Sequence, residues 1–271
     1  MRILCCLNRD LASNLALNLL LPVLHNHDAL IGLTDQVGHG LPQHEAPGRR
    51  ELRIAEQSLP NELVFPLIER ANLPDVGSRR LTFAEIERYR GLPIVPIPTP
   101  NAPAGLSTIA SFAPDLILTI RYGAILKDQV IKIPRFGVLN LHSGILPSYR
   151  GVLATFRALF DGNSEIGCTL HYILDSGIDT GDIVGIRTVP VNRERSLLWH
   201  VLALYPPGIA LTSDAIREIA TGSPPNGTPQ PPTGGTYYSY PTADEWAEFR
   251  RRGWRIADAG DVMDVFTRYM R

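Results

Sequence analysis

The chain opens on an unbroken apolar run, residues 2–7 (RILCCL), the pattern of a strand buried on both faces. A helix is expected over 11–21 and a second buried strand over 29–34 (ALIGLT). Helical spacing recurs at 62–71, where Pro66 sits awkwardly, and at 82–90, where Thr82 falls near the N-cap. Residues 92–97 (LPIVPI) read as a short strand at a sheet margin, because proline cannot donate to a ladder. A helix over 106–112 leads into strands at 115–120 (DLILTI) and 137–141 (GVLNL). The second half adds strands at 168–174 and 183–191, a helix over about 205–220 and another over 244–252 that starts near Thr242. Alternation of this kind predicts an α/β fold, a mostly parallel sheet flanked by helices. Residues 37–53, rich in Gly, Pro, His and Arg, read as an exposed loop with no core of their own. Residues 221–235 (TGSPPNGTPQPPTGG) read as a linker. The expected division is one domain over 1–221 and a C-terminal extension over 222–271.

Composition narrows the function classes mainly by exclusion. With 44% hydrophobic and 20% charged residues among 271, the chain is neither disordered nor a coiled coil. Twenty-six basic residues against 27 acidic leave a formal charge of −1, without the basic excess of a protein that grips phosphate backbones. Nucleic acid is therefore not the expected partner. No apolar stretch is long enough for a membrane span. Arg9 and Asp10 interrupt what would be the apolar region of a signal peptide, so a cytoplasmic protein is expected. Cys5, Cys6 and Cys168 have no metal-ligand spacing and are read as small buried apolar side chains.

The chemistry-bearing block runs from Phe136 to Asp182. Asn140 and His142 stand two apart on a strand, so they project to the same side at its carboxyl end, where ligands of open α/β sheets bind. The strand opens into a turn-rich loop, SGILPSYRG, and Asp179 follows in a second tight loop, DSGIDTGD. An amide can donate to a developing oxyanion, an imidazole can carry a proton, and a carboxylate can orient the imidazole or accept a proton. His171 is read either as a core histidine bonded to backbone or as a contact to this site. Tyr149 and Arg150 are read as loop anchors. His25, His27, His39 and His44 are read as solvated surface, and Arg250, Arg251 and Arg252 as a solvated helix face. Tyr237, Tyr238 and Tyr240 are expected to pack the extension onto the main domain.

The segments FGVLNLHSGILPSYRG and GCTLHYILDSGIDTGDIV resemble the 10-formyltetrahydrofolate-dependent formyltransferases, and PDLILTIRYGAIL resembles that family's folate-pocket strand and loop. The resemblance implies a formyltransferase-type Rossmann core over 1–221, catalysis by Asn140, His142 and Asp179, and no metal. It implies that 10-formyltetrahydrofolate is the formyl donor. The donor would lie in a slot near Ile117, read by backbone groups of Tyr122, Gly123, Ala124, Ile125 and Leu126 and of Asp175, Ser176, Gly177 and Ile178. The acceptor is expected to be a small amine held by loops that include Asn8, Arg9, Ser143 and Gly144. N-hydroxyornithine, as in siderophore biosynthesis, is the first expectation and an amino-sugar nucleotide the second. A formyltetrahydrofolate hydrolase and a non-catalytic folate-binding module are the alternatives from other classes.

The chain also departs from the family. His142-Ser143-Gly144 stands where the family has His-Pro-Ser, and one more residue, Leu174, precedes the aspartate loop. No glycine-rich phosphate loop follows the first strand, where Asp10 would meet a phosphate. The extension is also shorter than the C-terminal barrel of the methionyl-tRNA enzymes.

Overall fold

The computed structural model describes residues 1–35, 45–75, 77–231 and 233–271. Its elements are β1 (Arg2–Asn8), α1 (Leu11–Leu24), β2 (Asp28–Thr34), α2 (Pro47–Arg53), a π-helix (Ile54–Val64), α3 (Phe65–Ala71), α4 (Phe83–Arg90), β3 (Ile94–Pro96), α5 (Pro103–Phe112) and β4 (Leu116–Ile120). There follow α6 (Asp128–Ile131), β5 (Val138–His142), β6 (Arg150–Gly151), α7 (Ala154–Phe160), β7 (Glu165–Ile173) and β8 (Ile183–Pro190). The chain ends with α8 (Leu197–Ala203), α9 (Tyr205–Ala220), β9 (Tyr237–Tyr238), α10 (Ala243–Arg251) and α11 (Ala259–Met270).

Seven strands form one sheet in the order β3-β2-β1-β4-β5-β7-β8. The first five run parallel, while β7 and β8 are antiparallel to their neighbours. Strand order reverses between β1 and β4, which opens a crevice beyond the carboxyl ends of β1, β4 and β5. The apolar runs at 2–7 and 115–120 supply β1 and β4, central strands buried on both faces. LPIVPI supplies β3 at the sheet edge, where its prolines are tolerated.

Several local expectations are met by recognisable physics. Thr82 caps α4 in a capping box with Glu85, whose carboxylate also pairs with buried Arg79 at 2.7 Å. Thr242 and Glu245 do the same for α10. Pro66 sits in the first turn of α3, where its missing N–H is one the helix cannot use. Other expectations need correction. The loop expected over 37–53 is helical from Pro47 onward, with Gly48, Arg49 and Leu52 buried; residues 37–44, including His39 and His44, lie outside the described residues. Residues 62–64 belong to the π-helix and not to α3. α11 carries no label in the sequence reading, although its buried face includes Phe266 and Tyr269.

The extension does not stand apart from the main core. Trp246, Phe249, Trp254, Phe266 and Tyr269 belong to the same buried cluster as Leu7, Leu15 and Phe156. Tyr269 donates its hydroxyl to Asn14 Oδ1 at 2.7 Å, and Trp246 packs 4.4 Å from Phe156, centroid to centroid. Among the described residues, no helix is long and apolar enough to cross a membrane. Cys5, Cys6 and Cys168 are free and buried, and burial raises their thiols, Cys5 to about 12 and Cys168 to about 11.

Candidate active site

The crevice holds a cavity of about 680 Å³, a size suited to a drug-sized ligand. Asn140, His142 and Asp179 all line it, together with His171. Asn140 and His142 share one side of β5, as strand alternation requires. The Asn140 side chain accepts from Thr119 Oγ1 at 2.7 Å, which turns its amide nitrogen towards His171 Nε2 at 2.9 Å and Asp179 Oδ1 at 3.4 Å. His171 Nδ1 donates to the Tyr172 carbonyl at 2.9 Å, leaving Nε2 to accept the Asn140 amide. Both readings of His171 hold: it is buried and bonded to the backbone through Nδ1, and it touches the site through Nε2.

His142 is fixed in a similar way. Nε2–H donates to the Tyr149 carbonyl at 2.6 Å, while Nδ1 faces Asp179 Oδ2 at 3.4 Å. Gly144 makes this approach possible, since a Cβ there would lie 2.7 Å from His142 Nε2. Asp179 is half-buried, sits at a left-handed φ of 55° and accepts the Gly151 N–H at 2.8 Å. Burial pushes its carboxyl up, but His142, His171 and the Gly151 N–H outweigh that and hold it at about 2. It is a carboxylate at neutral pH.

Most of the residues expected to hold the folate line the cavity. Tyr122, Gly123, Ala124, Ile125, Leu126, Asp175, Gly177 and Ile178 contribute to its wall, with Ile173. Ser176 is not part of that wall, and Ile117 is fully buried beneath it. Asn101 shapes the 122–126 segment by donating to the Ile125 carbonyl at 2.7 Å and accepting the Lys127 N–H at 2.8 Å. Ser143 lines the cavity, but Gly144 only lets the loop close onto His142. The expectation for Asn8 and Arg9 is not met. Asn8 is buried and donates to Asp10 Oδ2 at 2.8 Å; Arg9 pairs with Asp35 at 2.9 Å; neither lines the cavity.

The opposite wall holds residues that sequence reasoning missed. Arg121, directly after β4 and at a left-handed φ of 54°, bridges Asp10 at 2.9 Å and Glu56 at 2.7 Å. Asp10 also caps α1 by accepting the Ser13 N–H at 2.7 Å. Its charge is thus turned inward to a helix and an arginine. Glu56 comes from the π-helix, and burial raises its carboxyl to about 7 against the pull of Arg121. Arg49 and Arg53 share Glu45, and the Arg49 guanidinium lies 3.5 Å over the Tyr240 ring. Tyr237 and Tyr240 also line the cavity, so the tyrosines of the extension do more than pack. Tyr238 does pack, stacking on Tyr149 with centroids 5.9 Å apart. Arg121 lies inside PDLILTIRYGAIL, but its partners Asp10 and Glu56 are distant in the chain and nothing local marks it. Glu56 had no signal, because its role depends on contact with an element 65 positions away.

The remaining expectations about single residues are settled by their contacts. Tyr149 anchors its loop through Asp161 and Asn163, and Arg150 through Gln230. Arg250, Arg251 and Arg252 are exposed and paired with Glu51 or Glu248. His25 is exposed and His27 half-buried. The added residue Leu174 is exposed beyond the end of β7, and the register shift in the strand pair falls at Leu170/His171 instead.

Comparison with known proteins gives a consistent result. Residues 100–198 match the family model described as formyl transferase. The methionyl-tRNA formyltransferase of Chlamydia caviae is 33% identical over 134 residues, 49% of this chain and 41% of that protein. That of Ralstonia pickettii is 33% identical over 149 residues, 54% of this chain and 45% of that protein. The chain thus matches less than half the length of either relative. The N-formyltransferase of Helicobacter canadensis, solved with folinic acid and dTDP-3-aminofucose, superposes with a TM-score of 0.57 at 16% identity over 96% of this chain and 85% of that one. Glycinamide ribonucleotide transformylase 1 of Symbiobacterium toebii gives a TM-score of 0.57 at 17% identity, covering 84% of this chain and 94% of that one. These two structures share the fold described above.

Proposed function

We propose that this chain is a formyl transferase and that it moves a formyl group from 10-formyltetrahydrofolate to the amine nitrogen of a small acceptor. The observation that supports the reading is the convergence of Asn140, His142 and Asp179 in one cavity that Ile125, Leu126 and Ile173 also line. That cavity suits a flat pterin: Ile125, Leu126 and Ile173 supply apolar faces, and the backbone of 122–126 and of 175–178 supplies polar groups for its edge.

The acceptor nitrogen attacks the formyl carbon, and the carbonyl pair moves onto oxygen. The Asn140 amide donates to that oxyanion, worth about 2.7–4 kcal/mol for one such donor. Asp179, ionised and facing the cavity, takes the proton released by the attacking nitrogen, through water. His142 can exchange a proton only at Nδ1, because Nε2–H is held by the Tyr149 carbonyl. The oxyanion pair then re-forms the carbonyl, the carbon–nitrogen bond breaks with its electron pair going to the folate nitrogen, and His142, as the imidazolium, protonates that nitrogen from Nδ1 and regains a proton from Asp179, whose Oδ2 it faces at 3.4 Å. The products are a formamide and tetrahydrofolate.

For the acceptor, charge supports a molecule without phosphate. Among the described residues lining the cavity, the arginines are Arg49, Arg53 and Arg121; Arg121 is held by Asp10 and Glu56 and Arg53 by Glu45, while Arg49 reaches Glu45 only at 3.8 Å and lies over the Tyr240 ring. N-hydroxyornithine meets this condition, although the relatives compared above act on tRNA or carry other acceptors in their names. The second reading is an amino-sugar nucleotide, favoured by the aromatic wall of Tyr237 and Tyr240. The test is loss of formyl from 10-formyltetrahydrofolate with N-hydroxyornithine, a dTDP-amino sugar, glycinamide ribonucleotide and methionyl-tRNA at equal concentration, scored by kcat/KM. A higher value for tRNA or glycinamide ribonucleotide than for the first two overturns the acceptor. Equal turnover without any amine makes the protein a hydrolase. No turnover with any acceptor overturns formyl transfer.

A further inference from the structure

Asp179 lies in the loop between Ile173, the end of β7, and Ile183, the start of β8. Its left-handed backbone costs a non-glycine residue about 1 kcal/mol or more, so contacts from outside the loop must hold it there. One of these contacts comes from the segment that composition marks as a linker. Gln230 donates its amide nitrogen to the carbonyls of Asp179 at 2.9 Å and Gly181 at 2.7 Å, while its Oε1 accepts from Arg150 Nη2 at 2.9 Å. Carbonyls only accept and a guanidinium only donates, so these partners permit a single orientation of the amide.

The next residue, Gly151, donates its N–H to the Asp179 carboxylate. Both ends of Asp179 are therefore tied to the pair Arg150–Gly151, the side chain directly and the main-chain carbonyl through Gln230. The segment carrying Gln230 is itself fastened on either side. Thr228 exchanges both main-chain hydrogen bonds with Ile183 at 2.8 Å, and the carbonyls of Thr236 and Tyr238 accept from Arg150 and Val152 at 3.0 Å each.

We infer that Gln230 is a positioning residue for formyl transfer, an inference that rests on the reading of the site given above. Its amide clamps the loop so that the Asp179 carboxylate stays in register with His142 and Asn140. Gln230 does not line the cavity, so its removal acts on the chemical step and not on the binding of folate or acceptor. A misplacement of about 1 Å can cost on the order of a hundredfold in rate.

The experiment compares wild type, Asn140→Ala, Gln230→Ala and Gln230→Glu with the best acceptor of the panel, together with the melting temperature of each. Gln230→Glu keeps the size and the Arg150 contact but turns lone pairs towards two carbonyls. The expected result is a ten- to hundredfold fall in kcat for both Gln230 variants, the Glu variant at least as impaired, with KM for both substrates within about threefold. A Glu variant with near-normal kcat, or a loss carried by KM, overturns the clamp while leaving formyl transfer intact. Failure of both variants to fold overturns it in favour of a purely structural role. An inert wild type, or an Asn140→Ala variant as active as wild type, overturns the underlying reading and the clamp with it.

Discussion

Only one nitrogen of His142 faces the reaction, because the Tyr149 carbonyl holds the other at 2.6 Å. Replacement of His142 by Ala is expected to lower kcat by about a hundredfold or more, the usual contribution of a positioned acid–base group. Affinity for folate, which the proposed function assigns to the 122–126 and 175–178 segments, should change little. A variant with near-normal turnover would remove His142 from the mechanism. Glu56 gives a second prediction at this scale. Its folded-state carboxyl titrates at about 7, above the ordinary value of about 4.3. As pH rises from about 4.5 to 7, the unfolded chain therefore loses this proton first, and stability falls. Glu56→Gln mimics the protonated form. It should match wild type in denaturation midpoint near pH 4.5 and exceed it near pH 8. A lower midpoint at pH 8 would mean that the pair with Arg121 stabilises the fold on balance.

At the scale of elements, the two-residue strands β6 and β9 matter beyond their length. Pairing Arg150–Gly151 with Tyr237–Tyr238 brings the extension to the cavity and presents the Gly151 N–H to Asp179. Gly151 has φ 95°, and a Cβ there would meet the Tyr238 carbonyl and lie 2.9 Å from the Tyr237 ring. Gly151→Ala is expected to cost about 1–3 kcal/mol and to reduce kcat, since relief of the clash and of the backbone strain shifts the residue 151 N–H that Asp179 accepts. Denaturation and steady-state kinetics would check the two effects separately; an unchanged kcat would show that β6 does not position the carboxylate. Thr82→Ala should cost about 1 kcal/mol through loss of the α4 cap, with no effect on catalysis. The cap was legible because Thr and Glu three apart suffice to form it. The helix α2 was not, because its sequence is polar and it is stabilised by contact with Trp246, nearly two hundred positions away, beside which a Cβ on Gly48 would lie at 2.5 Å.

For the whole molecule, the extension is a part of the core. Removing residues 222–271 would take Trp246, Phe249, Trp254, Phe266 and Tyr269 out of a cluster shared with β1, α1 and α7, exposing Phe156 and the Tyr269 partner Asn14. The truncated chain is expected to lack a cooperative thermal transition, and Trp246→Ala alone to cost about 3–5 kcal/mol. A truncated chain that melted as sharply as the full one would show that residues 1–221 fold on their own.

The apolar runs determined β1, β2 and β4, because a strand buried on both faces needs no partner information beyond its own hydrophobicity. The short motif around Asn140 and His142 determined which side chains meet at the end of β5, because alternation along a strand is a local rule. Asp179 could be singled out by its loop motif, but its meeting with His142 and Asn140 rests on the antiparallel pairing of β5 with β7. Asn8 and Arg9 were misplaced because proximity along the chain says nothing of side-chain partners: Asp10 draws one inward and Asp35 draws the other aside. Tertiary structure alone decided the opposite wall of the cavity. Glu56, Arg121 and Tyr240 come from three separate stretches, and these residues, like Gln230 outside the cavity, act through a charge, a ring or a carbonyl that only the folded chain brings within reach.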